Sequence, residues 1–184
     1  MNPVGYLVNK DGVLAGERGL FYDYILAHNG LYVHARNAHL DATVQIAGAE
    51  VRGLAPLEPK ITLRHGRIPW RLYDLAYSLF LVDPDRERYV AITWQDGSYH
   101  LKVPGQKRES ASVRYSTESG VVLDIHSHGT MTAWFSSQDN CDEQGLRLYM
   151  VVGKVNMLIP EIELRVGVYG YFAPMPPKEV FDLW

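Results

Sequence analysis

The chain has 184 residues, of which 47% are hydrophobic, 21% charged and 11% aromatic, and its formal net charge is −3. This balance excludes collagen-like, coiled-coil and wholly disordered chains, and it leaves no global basic field to attract nucleic acid or an anionic membrane. A single cysteine excludes an intrachain disulfide. Because the amino-terminal residues lack a signal peptide's basic start and apolar run, and no apolar run could span a bilayer, we expect a cytoplasmic protein with no membrane or direct nucleic-acid partner.

Residues 1–65 consist of short apolar runs separated by polar turns. The turn signals are Lys10-Asp11-Gly12, Asn29-Gly30 and the stretch 55–59. Asn-Gly is the clearest hairpin turn among them. The pattern predicts small β-hairpins and therefore a β-rich amino-terminal region over 1–65. Residues 20–28 also fit a short helix, so both alternatives stay open for that segment.

Residues 68–81 have the spacing of a helix. Their apolar side chains recur every three or four residues: Ile68, Leu72, Leu75, Ala76 and Leu79. Pro69 fits the first turn of such a helix, where its missing N–H costs no hydrogen bond. The runs ERYVAITW and SYHLKVP, on either side of Gly97, then predict a strand hairpin. The polar stretch 104–120 predicts an exposed loop.

The last third of the chain alternates between strand and helix signals. VVLDIHSHG, LRLYMVVG and ELRVGVYG predict strands, and SSQDNCDEQG predicts a helix with Ser136 or Ser137 as its N-cap. Since tight βαβ units are few, we predict an α+β or mixed α/β domain over 66–184. The apolar end of the tail APMPPKEVFDLW is expected to pack on the body of the protein or on a partner.

The pattern that indicates chemistry is His126-x-His128 followed by Ser136 and Asp139. In a strand, alternate side chains share a face, so the two imidazoles point the same way. Asp139, just inside the predicted helix, can return to the strand end through the loop that starts at Gly129. Two nitrogens and one carboxylate oxygen leave the fourth tetrahedral position open, as in a catalytic rather than a structural zinc site.

This spacing resembles the motif of the JAMM (MPN+) zinc metalloprotease family, over about residues 66–170. The resemblance implies a JAMM/MPN domain of the cytidine deaminase-like type, with a central mixed sheet flanked by helices. It also implies Zn²⁺ as the cofactor and His126, His128 and Asp139 as its ligands. Ser136 would be the catalytic hydrogen-bond donor to the oxyanion of the tetrahedral intermediate.

The same resemblance implies a glutamate far upstream that acts as the general base. In the family this glutamate stands at the entry of the strand after the first helix, and Glu87 opens ERYVAITW in that position. We therefore assign the role to Glu87, with Glu50 and Glu58 in reserve. Glu109 and Glu118 lie in the polar stretch, where a base would be held less firmly.

Several residues depart from the family pattern or have two interpretations. Gly129 stands where the family commonly has proline. Asp124, on the histidines' face, could orient a histidine or compete as a ligand. Trp134 and Phe135 could line a peptide groove, although plain packing is the better interpretation, and Cys141 is interpreted as incidental.

The runs VRGLAPL, LRHGRIP and VVLDIHSHG also resemble a component of the PRTRC cassettes of bacterial plasmids and mobile elements. Those cassettes encode a ThiF-like activating protein, a small ubiquitin-like protein and a ParB-related protein. The resemblance implies a zinc peptidase or isopeptidase that processes or removes a ubiquitin-like protein or peptide substrate. Activating or conjugating-type proteins of the same cassette would be further partners.

Two other functions stay open. One is a non-catalytic MPN-like binding or scaffold module of a ubiquitin-like or plasmid-maintenance system. The other is a metal-dependent hydrolase that acts on a different substrate. A deaminase is disfavoured because the sequence lacks the His-x-Glu and Pro-Cys-x-x-Cys pattern of that class.

Overall fold

The computed structural model describes residues 2–104 and 120–182 of the chain. The exposed loop predicted over 104–120 therefore lies, except for its two end residues, outside the described part. The chain divides into two compact units. The first unit comprises Met1–Gly66, Cys141–Leu146 and Gly167–Ala173, and the second comprises Arg67–Asn140, Arg147–Val166 and Pro174–Trp184. The predicted domains 1–65 and 66–184 stay a prediction. No helix within the described ranges is long and apolar enough to cross a membrane.

The first unit is built on a six-stranded sheet in the order β2-β1-β3-β4-β5-β6. Its strands are β1 Val4–Lys10, β2 Val13–Glu17, β3 Tyr22–Ala27, β4 Gly30–Arg36, β5 Leu40–Gly48 and β6 Lys60–Leu63. Strands β1 and β3 pair in parallel, and the other neighbours pair antiparallel. The expected β-rich character of this region is confirmed. The helical alternative for residues 20–28 is wrong, because Tyr22–Ala27 form β3, along which buried side chains alternate with partly or fully exposed ones.

The two hairpin turns predicted from glycine-containing motifs have different outcomes. Asp11 and Gly12 both have positive φ, at 52° and 81°, between the paired residues Lys10 and Val13, so the first prediction is confirmed. The second is displaced by one residue, because Gly30 is already the first residue of β4 and pairs with Ala27.

The displacement of the second turn has a physical reason. The Asn29 side chain bonds the Leu57 main chain in both directions, with donor–acceptor distances of 2.9 Å each. A Cβ on Gly30 would overlap the carbonyl oxygen of Ala47. Asn29 is therefore held by a residue far along the chain, and the glycine serves close strand approach rather than the turn.

A second six-stranded sheet, most of whose residues belong to the second unit, has the order β13-β12-β11-β10-β8-β9. The strands are β8 Tyr89–Gln95, β9 Ser98–Lys102, β10 Val121–Ser127, β11 Leu146–Gly153, β12 Glu161–Val168 and β13 Tyr171–Pro174. Because β10 pairs in parallel with β11 and antiparallel with β8, the sheet is mixed. The predicted hairpin around Gly97 is confirmed.

Helices are few in the described residues. They are α1 Trp70–Leu81, α2 Ser137–Asp142 and α3 Pro177–Val180. The fold is therefore mixed α/β, as predicted, but it is richer in strands and poorer in helices than a sheet flanked by helices would be.

Helix α1 begins at Trp70, two residues later than its apolar spacing predicts. Ile68 and Pro69 instead form a short strand, β7 Ile68–Pro69, which pairs in parallel with β14 Phe181–Asp182. The carboxylate of Asp182 accepts the Trp70 N–H at 2.7 Å and so caps the helix. The buried face of the helix consists of Leu72, Tyr73, Ala76 and Phe80. Leu75, expected on that face, is 53% exposed.

The tail packs on the body of the second unit, which is one of the two outcomes expected for it. Val180 and Phe181 are fully buried. The Phe181 ring contacts those of Trp70 and Tyr73 edge-on, with centroids 5.3 and 6.2 Å apart. Strand β14 therefore belongs to the core around helix α1.

Candidate metal centre

The two histidines lie at the carboxyl end of β10. His126 is on the strand, and His128 is the first residue after it. The His128 N–H still donates to the carbonyl of Val152 on β11, at 2.8 Å, so the strand pairing continues past the formal end of β10. The ring centroids of the two histidines are 5.1 Å apart. The alternation of the strand thus brings the two imidazoles together.

Asp139 is held in the first turn of helix α2 by Ser136. The Ser136 hydroxyl oxygen accepts the Asp139 N–H at 3.1 Å. The Ser136 hydroxyl and N–H both donate to Oδ2 of Asp139, at 2.7 and 2.6 Å. This reciprocal pair is an N-cap, and it fixes one carboxylate oxygen. The other oxygen, Oδ1, lies 3.6 Å from Nε2 of His126.

His126, His128 and Asp139 form the one group of potential metal ligands found within the described residues. One ligand atom from each lies within 4.8 Å of the others. Nε2 of His126 is buried and has no hydrogen-bond partner. Nδ1 of His128 lies 3.3 Å from the carbonyl oxygen of Thr132, which only accepts. In the tautomer that donates from Nδ1 to this carbonyl, Nε2 of His128 offers its lone pair to a metal ion.

The electrostatics of the group favour neutral imidazole at His126. Burial lowers the pKa of His126 to about 4, with smaller contributions from His128 and Arg165, while Asp139 opposes the shift. A neutral imidazole is the form that binds a metal ion. Two imidazole nitrogens and one carboxylate oxygen are a donor set that fits zinc, so these residues could hold a metal ion.

Asp124 lies two residues before His126 on β10, but it is outside this group. One carboxylate oxygen accepts the Tyr89 hydroxyl, and the other accepts Nη1 of Arg147 at 2.6 Å. Burial raises the pKa of Asp124, and the bonds from Arg147 and Tyr89 only partly offset this. The side chain therefore belongs to a buried ion pair, rather than to the ligand roles considered for it.

Glu87, the expected general base, is exposed and precedes β8. Its neighbour Arg88 is bonded to Ser127, whose N–H donates to the Arg88 carbonyl at 2.8 Å and whose hydroxyl accepts the Arg88 N–H at 3.1 Å. Glu87 therefore immediately precedes a residue that is bonded to the end of β10.

The other four glutamates considered for this role are placed differently. Glu50 and Glu58 are exposed residues of the first unit. Glu109 and Glu118 lie outside the described residues. Of the five, Glu87 alone belongs to a described segment bonded to the end of β10.

The presence of glycine rather than proline after His128 has a structural reason. Gly129 has φ +59°, which proline, with φ fixed near −65°, does not adopt. A Cβ at this position would overlap the carbonyl oxygen of Pro84. The loop before β8 therefore packs directly against the turn that follows His128.

Arg165 is the residue of this site that the sequence did not reveal. It lies on β12, is 8% exposed, and places its guanidinium carbon 3.7 Å from the centroid of the Phe135 ring. That ring is in turn 6.5 Å from the His126 ring. The only signal was a lone basic residue within the apolar run of a strand.

Two further side chains, Trp134 and Cys141, lie close in sequence to Ser136 and Asp139. Trp134 is 51% exposed, and its ring contacts that of His128 edge-on at a centroid distance of 5.6 Å. Cys141 is exposed and is not one of the grouped ligand atoms.

The chain was also compared with known protein families. Residues 65–165 match the family described as prokaryotic homologs of the JAB domain. No curated protein matches the chain, and no solved structure does.

Proposed function

The chain belongs to the family of prokaryotic homologs of the JAB domain, and from this premise we propose that it is a zinc-dependent peptidase or isopeptidase of the JAMM type. The observation that carries the proposal is the group of three potential ligand atoms within 4.8 Å, in which the buried Nε2 of His126 has no hydrogen-bond partner. A buried polar atom without a partner is costly, and a bound cation would remove that cost. The proposal includes a JAMM/MPN, cytidine deaminase-like architecture for the matched region.

His126, His128 and Asp139 would hold the ion. A bound zinc ion supplies Lewis-acid chemistry, since it polarises a carbonyl and lowers the pKa of water. His126 contributes a neutral imidazole, and Asp139 contributes Oδ1 because Ser136 occupies Oδ2. Because only Oδ1 is left free of Ser136, Asp139 would bind the ion through one oxygen with a fixed direction.

Ser136 is proposed as the donor to the oxyanion. Its hydroxyl donates to Asp139, and its N–H makes a second bond to the same oxygen. The N–H bond can therefore keep Asp139 in place while the hydroxyl turns its proton to the substrate oxyanion. Donors aimed at developing charge are among the strongest contributions to acyl-transfer catalysis.

Glu87 is proposed as the group that moves the proton. It would accept a proton from the attacking water and deliver it to the leaving amine. The bonding of its neighbour Arg88 to Ser127 at the end of β10 supports this role, as does the exposure of Glu87, since a base must meet both water and substrate.

The proposed substrate is an amide or isopeptide bond of a bacterial ubiquitin-like protein or a peptide. Activating or conjugating-type proteins of the same cassette are proposed as further partners. These assignments rest on the resemblance of the runs VRGLAPL and LRHGRIP to a protein encoded by such cassettes. The group of potential metal ligands supports the assignment of a bond-cleaving activity.

Zinc content by elemental analysis tests the metal site. The wild-type chain, purified without a histidine tag, should carry about one zinc per chain. The His126→Ala, His128→Ala double variant should carry none. His100→Ala, whose ring bonds Ser98 instead, is the matched control and should keep the zinc. A wild-type chain that takes up no added zinc would remove the basis of the peptidase proposal.

Cleavage of a ubiquitin-like protein fused through an amide bond to a reporter tests the activity. Zinc-loaded wild type should release the reporter, and Glu87→Gln should bind zinc normally without releasing it. Glu58→Gln, an exposed glutamate of the first unit, should cleave as wild type does. Zinc binding without cleavage of any amide-linked substrate would favour the non-catalytic binding module.

A further inference from the structure

The segment that carries Ser136 and Asp139 has little packing of its own. Helix α2 has six residues, and none of these six, all of which the structure describes, is buried. A helix this short is unstable in isolation, because its nucleation cost is not recovered within one or two turns. The N-cap pair of Ser136 and Asp139 is internal to the segment, so it shapes the turn without fixing it to the sheet.

Arg165 reaches this segment at both ends. Its guanidinium lies over the ring of Phe135, which immediately precedes Ser136, with 3.7 Å from the guanidinium carbon to the ring centroid. Its Nη1 donates to Oδ1 of Asn140, which immediately follows Asp139, at 2.7 Å. Arg165 itself is fixed, because it lies within strand β12 and is 8% exposed.

We propose that Arg165 is a positioning residue, which clamps the Ser136–Asp139 segment to the sheet and so sets the distance from Asp139 to the histidines. This inference rests on the proposed zinc site. The cation–π contact and the hydrogen bond described for this clamp are worth about 1–2 kcal/mol each in a desolvated setting. Both contacts depend on the planar guanidinium, so lysine would not reproduce them.

The positive charge of Arg165 allows its role as a clamp to be distinguished from a purely electrostatic role. A buried cation beside a divalent ion repels it, so removal of the charge alone would tighten zinc binding. Removal of the clamp would loosen it, because Asp139 would lose its fixed position. The two effects on zinc affinity have opposite signs. If Arg165 is a clamp, its removal should weaken zinc binding overall.

The test is zinc affinity, measured by competition with a chromophoric chelator. Arg165→Met, which keeps the length and removes the clamp, should weaken binding about tenfold, as is usual for residues that orient metal ligands. Phe135→Leu should also weaken binding, whereas Phe135→Tyr, which keeps the ring, should retain wild-type affinity. Asn140→Ala combined with Arg165→Met should cost less than the sum of the single changes, because both remove the same bond.

The Co²⁺-substituted protein gives a second readout that general stability does not move. The visible ligand-field bands of Co²⁺ should shift in Phe135→Leu and stay unchanged in Phe135→Tyr. Zinc affinity equal to or tighter than wild type in Arg165→Met overturns the inference. If that variant does not fold, the two Phe135 variants decide, and equal affinities for them overturn it.

Failure of this inference and failure of the proposed function can be told apart. A wild-type chain that binds no zinc overturns both. A wild-type chain that binds zinc without cleaving overturns the peptidase, but the affinities of the variants still decide the clamp. Normal cleavage and unchanged zinc affinity in the variants overturn the clamp alone.

Discussion

Asp124 and Arg147 form an ion pair within the sheet of the second unit, and the change Arg147→Met should destabilise the protein in a pH-dependent way. The two side chains are 11% and 26% exposed, and Oδ2 lies 2.6 Å from Nη1. Removing one partner of a buried pair costs about 3–5 kcal/mol, because the other charge is left uncompensated. Since a quarter of the Arg147 side chain is exposed, water can compensate part of the charge left on Asp124 in the variant. We therefore expect Arg147→Met to lose about 2–3 kcal/mol of stability at pH 7.

The pH dependence follows from the carboxyl group that remains. Burial already raises the pKa of Asp124, and loss of Arg147 raises it further. A carboxyl whose pKa is higher in the folded than in the unfolded state keeps more protons when folded. Stability therefore falls as the pH rises from about 4 through the folded-state pKa. The deficit of Arg147→Met relative to wild type should be small near pH 4 and largest at pH 7.

Urea titrations of the metal-free proteins at several pH values measure this difference. Arg86→Met is the matched control, because its partner Asp83 is 3.4 Å away but Arg86 is 72% exposed, so it should cost under about 1 kcal/mol. The double change Arg147→Met, Asp124→Leu removes both charges and should recover part of the loss. A deficit that is equal at pH 4 and pH 7, or no larger than that of Arg86→Met, would refute the reasoning.

Gly129→Ala adds a side chain at φ +59° against a carbonyl oxygen and should cost about 3 kcal/mol. Gly53→Ala, at φ +81° in open space, should cost about 1 kcal/mol, and equal losses in urea would contradict this prediction. The pKa of His126 is lowered to about 4, so the unfolded state binds more protons than the folded state between pH 6.5 and 4. The stability of the metal-free protein should therefore fall as the pH is lowered from 6.5 to 4. His126→Gln should flatten this part of the profile, and an unchanged slope would count against it. Asp182→Ala should lower the stability by about 1 kcal/mol through loss of the cap on helix α1, while Asp182→Asn keeps an acceptor. Identical melting temperatures for Asp182→Ala and wild type would disprove that cap.

The features that the sequence predicted well depend on residues close together in the chain. His126 and His128 share a side of β10 because strand alternation is local, and Ser136 caps the turn of Asp139 three residues away. The turn at Asp11 can likewise be predicted from the sequence, because only a few residue types accept positive φ.

The features that the sequence missed depend on partners far along the chain. The start of helix α1 is set by Asp182, 112 residues after Trp70, and helical spacing carries no information about such a partner. Arg165 contacts Phe135 and lies 25 residues after Asn140, so no motif spacing includes it. Local propensity predicts which elements form, whereas their ends and their anchoring residues are decided by long-range packing.

The cap on helix α1 has a consequence for the order in which the protein is made. At about 5–20 residues per second, the ribosome adds Asp182 roughly 6–22 s after Trp70, given their separation of 112 residues. Small domains commonly fold within a second or less, so the amino end of the helix waits for its cap during synthesis. His126, His128 and Asp139 are all translated before Asp182. The nascent chain therefore contains all three potential metal ligands before β14, the strand that pairs with β7, has been made.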